Sequence, residues 1–367
     1  MNATLISPLY PLRGGIAESG SLLEDALNNM NGALMTITYK RQYPKFLFPG
    51  KSEFVNDMTE RLFLLDALCK LDVLNPLTWF KVARSIKTDV VIIRYWTPAL
   101  AVCIGTLAWL LRKKKIIFIV DNVTPHEKFP FSKILTKYAL RQGNGFIFFS
   151  YYVANDFFLL FPKFDGKCRV VSMPIIDPGE KIISKKEAKK ILGIKDKKVI
   201  LFFGLVRKYK GLDTLIKAMP EILKEVDVRL LIVGEFYDDE QKYRDLLTEL
   251  FMTGTHLNTT IVNEYVEKVA PYFCAADVVV LPYKHATQSA VVRLAQYFKK
   301  PCIVTDVGGL SEMVTNKTGL VVDEDKIAES VIAFFNDDLT YESAWDFSGI
   351  PTWENVVEAI EELANGC

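Results

Sequence analysis

The sequence predicts an α/β protein made of two doubly wound parallel-sheet domains. Three observations predict this. The chain has 367 residues, more than one ordinary core holds. Short apolar runs rich in Val, Ile and Phe recur along it without in–out alternation, as expected of strands covered on both faces. Longer stretches with apolar residues three and four apart separate those runs, which adds crossover helices and therefore parallel pairing.

In the first half the runs are ATLISPLY, ALMTITY, DVVIIRY, KIIFIVDN, GFIFFS and RVVSMP. In the second they are KVILFFG, VRLLIVGE, TTIVNEYV, DVVVLPY, PCIVTDVGG and TGLVVD. Six strands are thus expected in each sheet. Between the runs, residues 211–226 place Leu212, Leu215, Ile216, Met219, Ile222, Leu223 and Val226 on one helix face. Residues 95–111 carry no charge over 17 positions, between Arg94 and the cationic stretch 112–115. That length is at the short limit for a membrane span, and the adjoining strand-like runs favour a buried crossover helix. Residues 174–197 hold prolines, glycines and many lysines, as a connector should. The expected domains are 1–173 and 174–345, with a terminal helix in 346–367.

Charged residues make up 24% and hydrophobic ones 50%, which excludes a disordered chain. The net charge of +1 leaves no cation excess for sequence-independent nucleic-acid binding. The six cysteines are scattered without a CxxC pair, which suits reduced thiols and argues against a disulfide framework or a zinc site. The N-terminus MNATLISPLYPLRGG lacks a basic segment followed by a long apolar one, so no signal peptide is expected and the localisation read from it is cytoplasmic.

Parallel sheets bind ligands beyond the carboxyl ends of their strands. After the first strand, Gly14 and Gly15 precede a helix, where backbone can approach a ligand and anions are favoured; an ordinary loop is the alternative. After the fourth run come Asp121, Asn122, His126 and Glu127, a set able to bond a polar ligand or handle a proton, or else incidental loop residues. In LFFGLVRKYKGLDTLIKAMPEI, Gly204 ends a strand, Arg207 and Lys210 precede Gly211, and Asp213 is placed to cap the next helix. Two cations and free amides at a helix start suit a diphosphate without a metal; Lys208 is read as solvated.

Taken in order, FGLVRKYKGLDTLIKA, LLIVGE, AADVVVLPY and KPCIVTDVGGLSEMV…TGLVV resemble the donor-binding domain of glycosyltransferase family 4. SPLYPLRGGIAE and DNVTPHE are similar to that family's acceptor domain, and TWENVVEAIEEL resembles its returning C-terminal helix. The resemblance implies the GT-B fold, two Rossmann-like domains facing across a cleft. It implies transfer of a sugar from a UDP- or GDP-sugar, usually with retention and without a metal. Carried over residue by residue, Arg207 and Lys210 match the basic pair that holds the donor diphosphate. Gly14 and Gly15 match the glycine loop beside donor and acceptor, and His126 matches the histidine near the transferred sugar. Gly204 ends the strand before the basic pair. Gly234 and Glu235 fall in the loop on the nucleotide side, and Tyr265 and Val266 fall where backbone contacts the base. Asp238, Asp239 and Glu240 are read as an acidic helix start, not a metal site.

The chain departs from the family where two glutamates usually stand; these positions are Ala286 and Leu294. An ATQS turn replaces the first, as in one branch of the family, and the amides of Gln288, Ser289 and Ala290 are candidates for the diphosphate. His285 and Arg293 are further candidates for donor recognition. Glu312 matches a glutamate that bonds a sugar hydroxyl, or it caps a helix. The aromatic and basic stretches 39–51 and 151–164 suit either the core or an anionic bilayer beside a lipid-linked acceptor. Two other readings stand beside a transferase: a silent nucleotide-sugar-binding partner subunit, and a nucleotide-sugar epimerase.

Overall fold

The structure is a computed structural model that describes residues 1–30, 32–43, 54, 69–125, 129–195, 198–255, 257–336 and 345–366. The chain divides into two compact units, Met1–Pro174 with Pro351–Cys367, and Ile175–Ile350.

The first unit holds a parallel sheet of seven strands: β1 (Ala3–Ile6), β2 (Leu34–Arg41), β3 (Cys69–Asp72), β4 (Val90–Tyr95), β5 (Lys115–Val120), β6 (Gly145–Phe148) and β7 (Lys167–Val170). Their order is β3-β2-β1-β4-β5-β6-β7, with Leu5 opposite both Thr36 and Ile92. The direction of winding reverses between β1 and β4, so a topological switch point lies beyond the ends of these two strands. Helices α1 (Gly15–Asn28), α2 (Pro76–Ser85), α3 (Ala101–Leu110), α4 (Ser132–Leu140) and α5 (Tyr151–Leu160) complete the crossovers among the described residues.

Six strands were expected here, and β3 is the seventh. Its four residues, CKLD, are half charged and pair irregularly at the sheet edge, so no apolar run marks them. The uncharged stretch after β4 is a short 3-10 turn, Pro98–Leu100, and the ten-residue helix α3, which buries one face and leaves Val102 and Trp109 exposed. No described helix is long and apolar enough to cross a membrane. The aromatics of 151–164 divide: Phe157 is buried against Phe146, Phe148, Phe161 and Phe164, while Tyr151 and Phe158 are exposed. Most of stretch 39–51 lies outside the described residues, but Tyr39 is core.

The second unit holds β8 (Lys198–Phe203), β9 (Val228–Val233), β10 (Asn258–Val262), β11 (Val278–Leu281), β12 (Cys302–Thr305) and β13 (Gly319–Val322), all parallel in the order β10-β9-β8-β11-β12-β13. Its switch point lies between β8 and β11. The helices are α6 (Lys185–Ile191), α7 (Leu212–Glu225), α8 (Glu240–Met252), α9 (Ala270–Ala275), α10 (Ala290–Tyr297) and α11 (Ile327–Asn336). Of the predicted stripe, Leu212, Leu215, Ile216, Met219 and Ile222 on α7 and Val226 just after it are buried, and Leu223 is half-buried. The expected connector is shorter than its composition suggests. Ser184 caps α6 by accepting from the Glu187 amide, α6 packs on α9, and Lys185 pairs with Asp277.

The last helix, α12 (Trp353–Gly366), belongs to the first unit and packs on α1, β5, β6 and β7. Trp353 meets the ring of Phe149 edge-on, with 6.1 Å between centroids, and Leu363 lies over Gly145. Lys115 donates to the Ala364 carbonyl and Lys167 to that of Gly366, placing cations at the negative end of the helix.

Candidate active site at the strand ends of the second unit

The loop after β8 is laced to the loop after β9. The Gly204 amide donates to the Val233 carbonyl (2.8 Å), the Val206 amide to the Glu235 carbonyl (2.9 Å) and the Tyr237 amide to the Val206 carbonyl (2.9 Å). The Gly204 carbonyl lies against Gly234, and the Glu235 side chain is buried. From Val206 the chain turns through Arg207 into a 3-10 turn, Lys208–Lys210, and Gly211 then starts α7. Gly211 has φ 68°, and a Cβ there would stand 1.8 Å from the Pro282 carbonyl oxygen. Only glycine allows this strand-to-helix turn to sit so close to the loop after β11.

Lys210 is 9% exposed. Its ammonium lies 5.4 Å from the centroid of the Tyr283 ring. It also lies beside the Cα of Gly204, where an added Cβ would come within 3.1 Å of Nζ. No hydrogen bond or ion pair from the described residues holds it. Burial, with a smaller effect from the Arg207 charge, lowers its pKa to about 7. The Arg207 guanidinium rests 5.2 Å from the Tyr237 ring centroid and is half-buried. Lys208 is exposed, as expected of a solvated lysine.

Asp213 does not cap α7. The N-cap is Gly211, which has no side chain to bond, and Asp213 accepts instead from Lys284 Nζ at 2.8 Å. Partial burial raises the Asp213 pKa, but the Lys284 hydrogen bond and charge outweigh this and hold it below the usual carboxylate range. The Lys284 amide also donates to the Tyr209 carbonyl (2.7 Å). Through Lys284, the loops on both sides of the switch point become one rigid edge.

The start of α10 completes the group. Val291 approaches Gly204, where an added Cβ would meet its Cγ2 at 3.2 Å. Ser289 is the N-cap residue, but its amide donates to Met313 Sδ (3.2 Å), so that donor is already engaged. The Ala286 carbonyl accepts from the Gly309 amide (3.1 Å), and Ala286 and Leu294 are packed in the core. Arg293 is buried and donates to Gln296 Oε1 (2.5 Å) and to the Met313 carbonyl, and Gln296 donates to that same carbonyl (2.9 Å). It fastens α10 to the Ser311–Met313 turn, a structural task in place of the donor contact expected of it. His285 and Gln288 are half-buried in the connecting loop, Ala290 opens α10, and Glu312 is exposed on the Ser311–Met313 turn.

Tyr265 and Val266 lie in the loop after β10. The order β10-β9-β8 sets them two strands from the end of β8. Asp239 caps α8 by accepting from the Gln241 amide (3.0 Å), Asp238 accepts from Tyr243, and Glu240 pairs with Arg244. These carboxylates are committed to the helix start.

In the first unit, Gly14 (φ 104°) precedes α1 with open space beside its Cα. The helix start is fixed by Arg94, which donates to the Ile16 carbonyl (3.0 Å) and forms a two-pronged pair with Asp121 (2.7 and 2.8 Å). Both partners are 1% exposed. Asp121 is therefore a brace for the glycine turn and not a free acid, and Asn122 donates to the Trp96 carbonyl. His126 and Glu127 lie outside the described residues. Sequence reasoning overlooked Arg94, although a charge within the apolar run DVVIIRY was its signal. It also missed Tyr237 and Tyr283, the aromatic seats of the two cations.

Two Rossmann-like parallel-sheet units define the GT-B fold. Residues 197–337 match the family model described as Glycosyl transferases group 1. The D-inositol 3-phosphate glycosyltransferase of Pseudarthrobacter chlorophenolicus is 32% identical over 140 residues, 37% of this chain and 33% of that protein. The lipopolysaccharide core biosynthesis mannosyltransferase LpsB of Rhizobium meliloti is 28% identical over 171 residues, 42% of this chain and 46% of that protein. The matches span about a third to a half of the length of these relatives. Among solved structures, Anabaena Alr3699/HepE in complex with UDP-glucose aligns over 100% of both chains with a TM-score of 0.74 and 15% identity. The sucrose-phosphate synthase of Thermosynechococcus elongatus aligns over 100% of this chain and 98% of its own, with a TM-score of 0.71 and 18% identity. At these identities the structural likeness establishes the fold.

Proposed function

We propose that the protein is a glycosyltransferase that moves a hexose-type sugar from a UDP- or GDP-sugar to a saccharide or lipid-linked acceptor, with retention, in surface polysaccharide or glycolipid synthesis at the cytoplasmic side. One observation carries the reading. A buried ammonium, Lys210, which no described residue neutralises, stands at the switch point of the unit that matches glycosyl transferases group 1. An anion is the partner such a group lacks, and a pyrophosphate supplies it.

In this reading Lys210 and Arg207 bind the donor pyrophosphate and stabilise the charge that grows on it as the glycosidic bond breaks. Gly204 and the start of α10 let the phosphates approach the backbone closely. The two side-chain cations take the part a divalent ion would otherwise play. We read the route as one in which the departing phosphate accepts the acceptor's proton. In this reading Gly14 and Gly15 stand beside donor and acceptor, and His126 serves the transferred sugar.

A thermal-shift screen of UDP- and GDP-sugars tests the proposal, since a ligand that binds only the native state raises the melting temperature. A shift with one nucleotide-sugar that Lys210→Met abolishes is expected; no shift with any of them refutes it. Burial of Ala286 and Leu294 where glutamates are usual favours one second reading, a silent partner subunit. Slow nucleotide release from the donor without acceptor distinguishes the transferase, whereas binding without turnover identifies the silent form.

A further inference from the structure

The charge of the first unit is unevenly placed. Helices α2, α3 and α4 pack side by side, α2 on α3 and α3 on α4. Together with the turns that follow them, residues 76–87, 101–114 and 132–144 hold nine Lys and Arg and no Asp or Glu. The whole chain is nearly neutral, with 45 basic and 44 acidic residues, so these cations are segregated on one group of helices.

The same helices leave large apolar side chains exposed. On α2, Leu77, Phe80, Lys81 and Arg84 are exposed at the spacing of one helical stripe. On α3, Val102 and Trp109 are exposed two turns apart, and the Arg112 guanidinium lies 4.5 Å from the Trp109 ring centroid. On α4, Ile134 is 68% exposed and continues into Lys137 and Arg141 along one stripe. Each helix thus shows solvent an apolar segment and a cationic one.

We propose that this face of α2, α3 and α4 docks on the headgroup layer of a bilayer containing anionic lipid. The mixture of side chains selects that partner. A nucleic acid would reward the cations but not the aliphatic tips of Leu77 and Ile134. A second copy of the chain would bring like charges together. Anionic lipid satisfies the cations, and the acyl boundary takes Leu77, Phe80 and Ile134, with Trp109 and Arg112 at headgroup depth. The inference is independent of the transfer reaction, because none of these residues belongs to the Lys210 group.

Co-sedimentation of the full chain with vesicles tests it. Phosphatidylcholine vesicles with about 30 mol% phosphatidylglycerol are compared with phosphatidylcholine alone. Binding to the anionic vesicles only is expected, weakened by salt. The variant Lys81→Glu/Arg84→Glu/Lys137→Glu/Arg141→Glu should lose about tenfold or more of the partitioning, and Leu77→Ser/Phe80→Ser should lose the salt-resistant part. All six side chains are exposed, so an unchanged melting temperature and nucleotide-sugar response certify the fold of each variant. Equal binding to neutral vesicles, no binding to either, unchanged binding by the reversal variant, or dimerisation or duplex-DNA binding that the same reversals abolish would each overturn the proposal.

Discussion

If the proposed function holds, Lys210 ties nucleotide-sugar binding to pH. Its folded-state pKa, about 7, lies well below the ordinary 10.5 because burial and Arg207 disfavour the charge. A bound pyrophosphate supplies the missing counter-charge and returns the pKa toward its ordinary value. Binding therefore takes up a proton, and affinity follows the protonated fraction of the free protein. That fraction falls from about 0.9 at pH 6 to about 0.1 at pH 8, so affinity for a nucleotide-sugar should weaken about tenfold over this range. The nucleotide-sugar is the ligand to use, because its pyrophosphate diester does not titrate there, unlike the terminal phosphate of a free nucleoside diphosphate. Isothermal titration calorimetry in buffers of different ionisation heat should report uptake of about half a proton near pH 7. Lys210→Arg, which stays charged, should flatten the pH dependence. A flat profile in the wild type, or the same slope in Lys210→Arg, would refute the assignment.

Other perturbations have equally definite outcomes. The lowered Lys210 pKa means the unfolded chain binds more protons between about pH 7 and 10.5, so stability rises with pH across that window. Lys210→Met should accordingly raise the melting temperature at neutral pH, by a few kcal/mol of stability in order of magnitude, while abolishing nucleotide-sugar binding; a fall in melting temperature would count against an uncompensated charge. Arg94→Met strands Asp121 in the core and should cost about 3–5 kcal/mol in urea unfolding of the first unit. Lys299 follows α10 with φ 54°, so Lys299→Gly should stabilise the second unit by roughly 0.5–1 kcal/mol, read as a higher urea midpoint at unchanged slope. Gly211→Ala would drive a methyl group into the Pro282 carbonyl and should lose both stability and nucleotide response.

Buried parallel strands were legible because they must be apolar on both faces, and the runs that became β8, β9 and β11 stand out as blocks of Val, Ile, Leu and Phe. The edge strand β3 was not legible: Lys70 and Asp72 interrupt it, and irregular pairing with β2 holds it in place. Arg207 and Lys210 could be read as a pair because they lie between a strand and a helix, and such a turn puts both at one sheet edge. What the linear chain concealed was partner choice. Asp213 looked like a helix cap, yet its partner is Lys284, 71 positions away. Asp121 looked like a site acid, yet Arg94 of the neighbouring strand β4 pairs with it. Ser289 looked like a free amide donor, yet Met313 comes back over it. Each of these depends on a long-range approach that local pattern does not encode.

Partnering also separates the structural cations from the one proposed to bind the donor. Arg94 and Arg293 are as buried as Lys210. Arg94 meets a carboxylate and a carbonyl, and Arg293 an amide oxygen and a carbonyl. Their guanidiniums bring fixed donors to fixed acceptors, and removing either partner would leave an orphan in the core. Lys210 has aromatic and glycine neighbours that shape a space without neutralising its charge. A fold that only needed to close the β8–α7 turn would be more stable with an apolar residue there. Keeping an ammonium at that place makes sense if the missing counter-charge arrives with a ligand, and the opposed effects of Lys210→Met on stability and on binding follow from that one asymmetry.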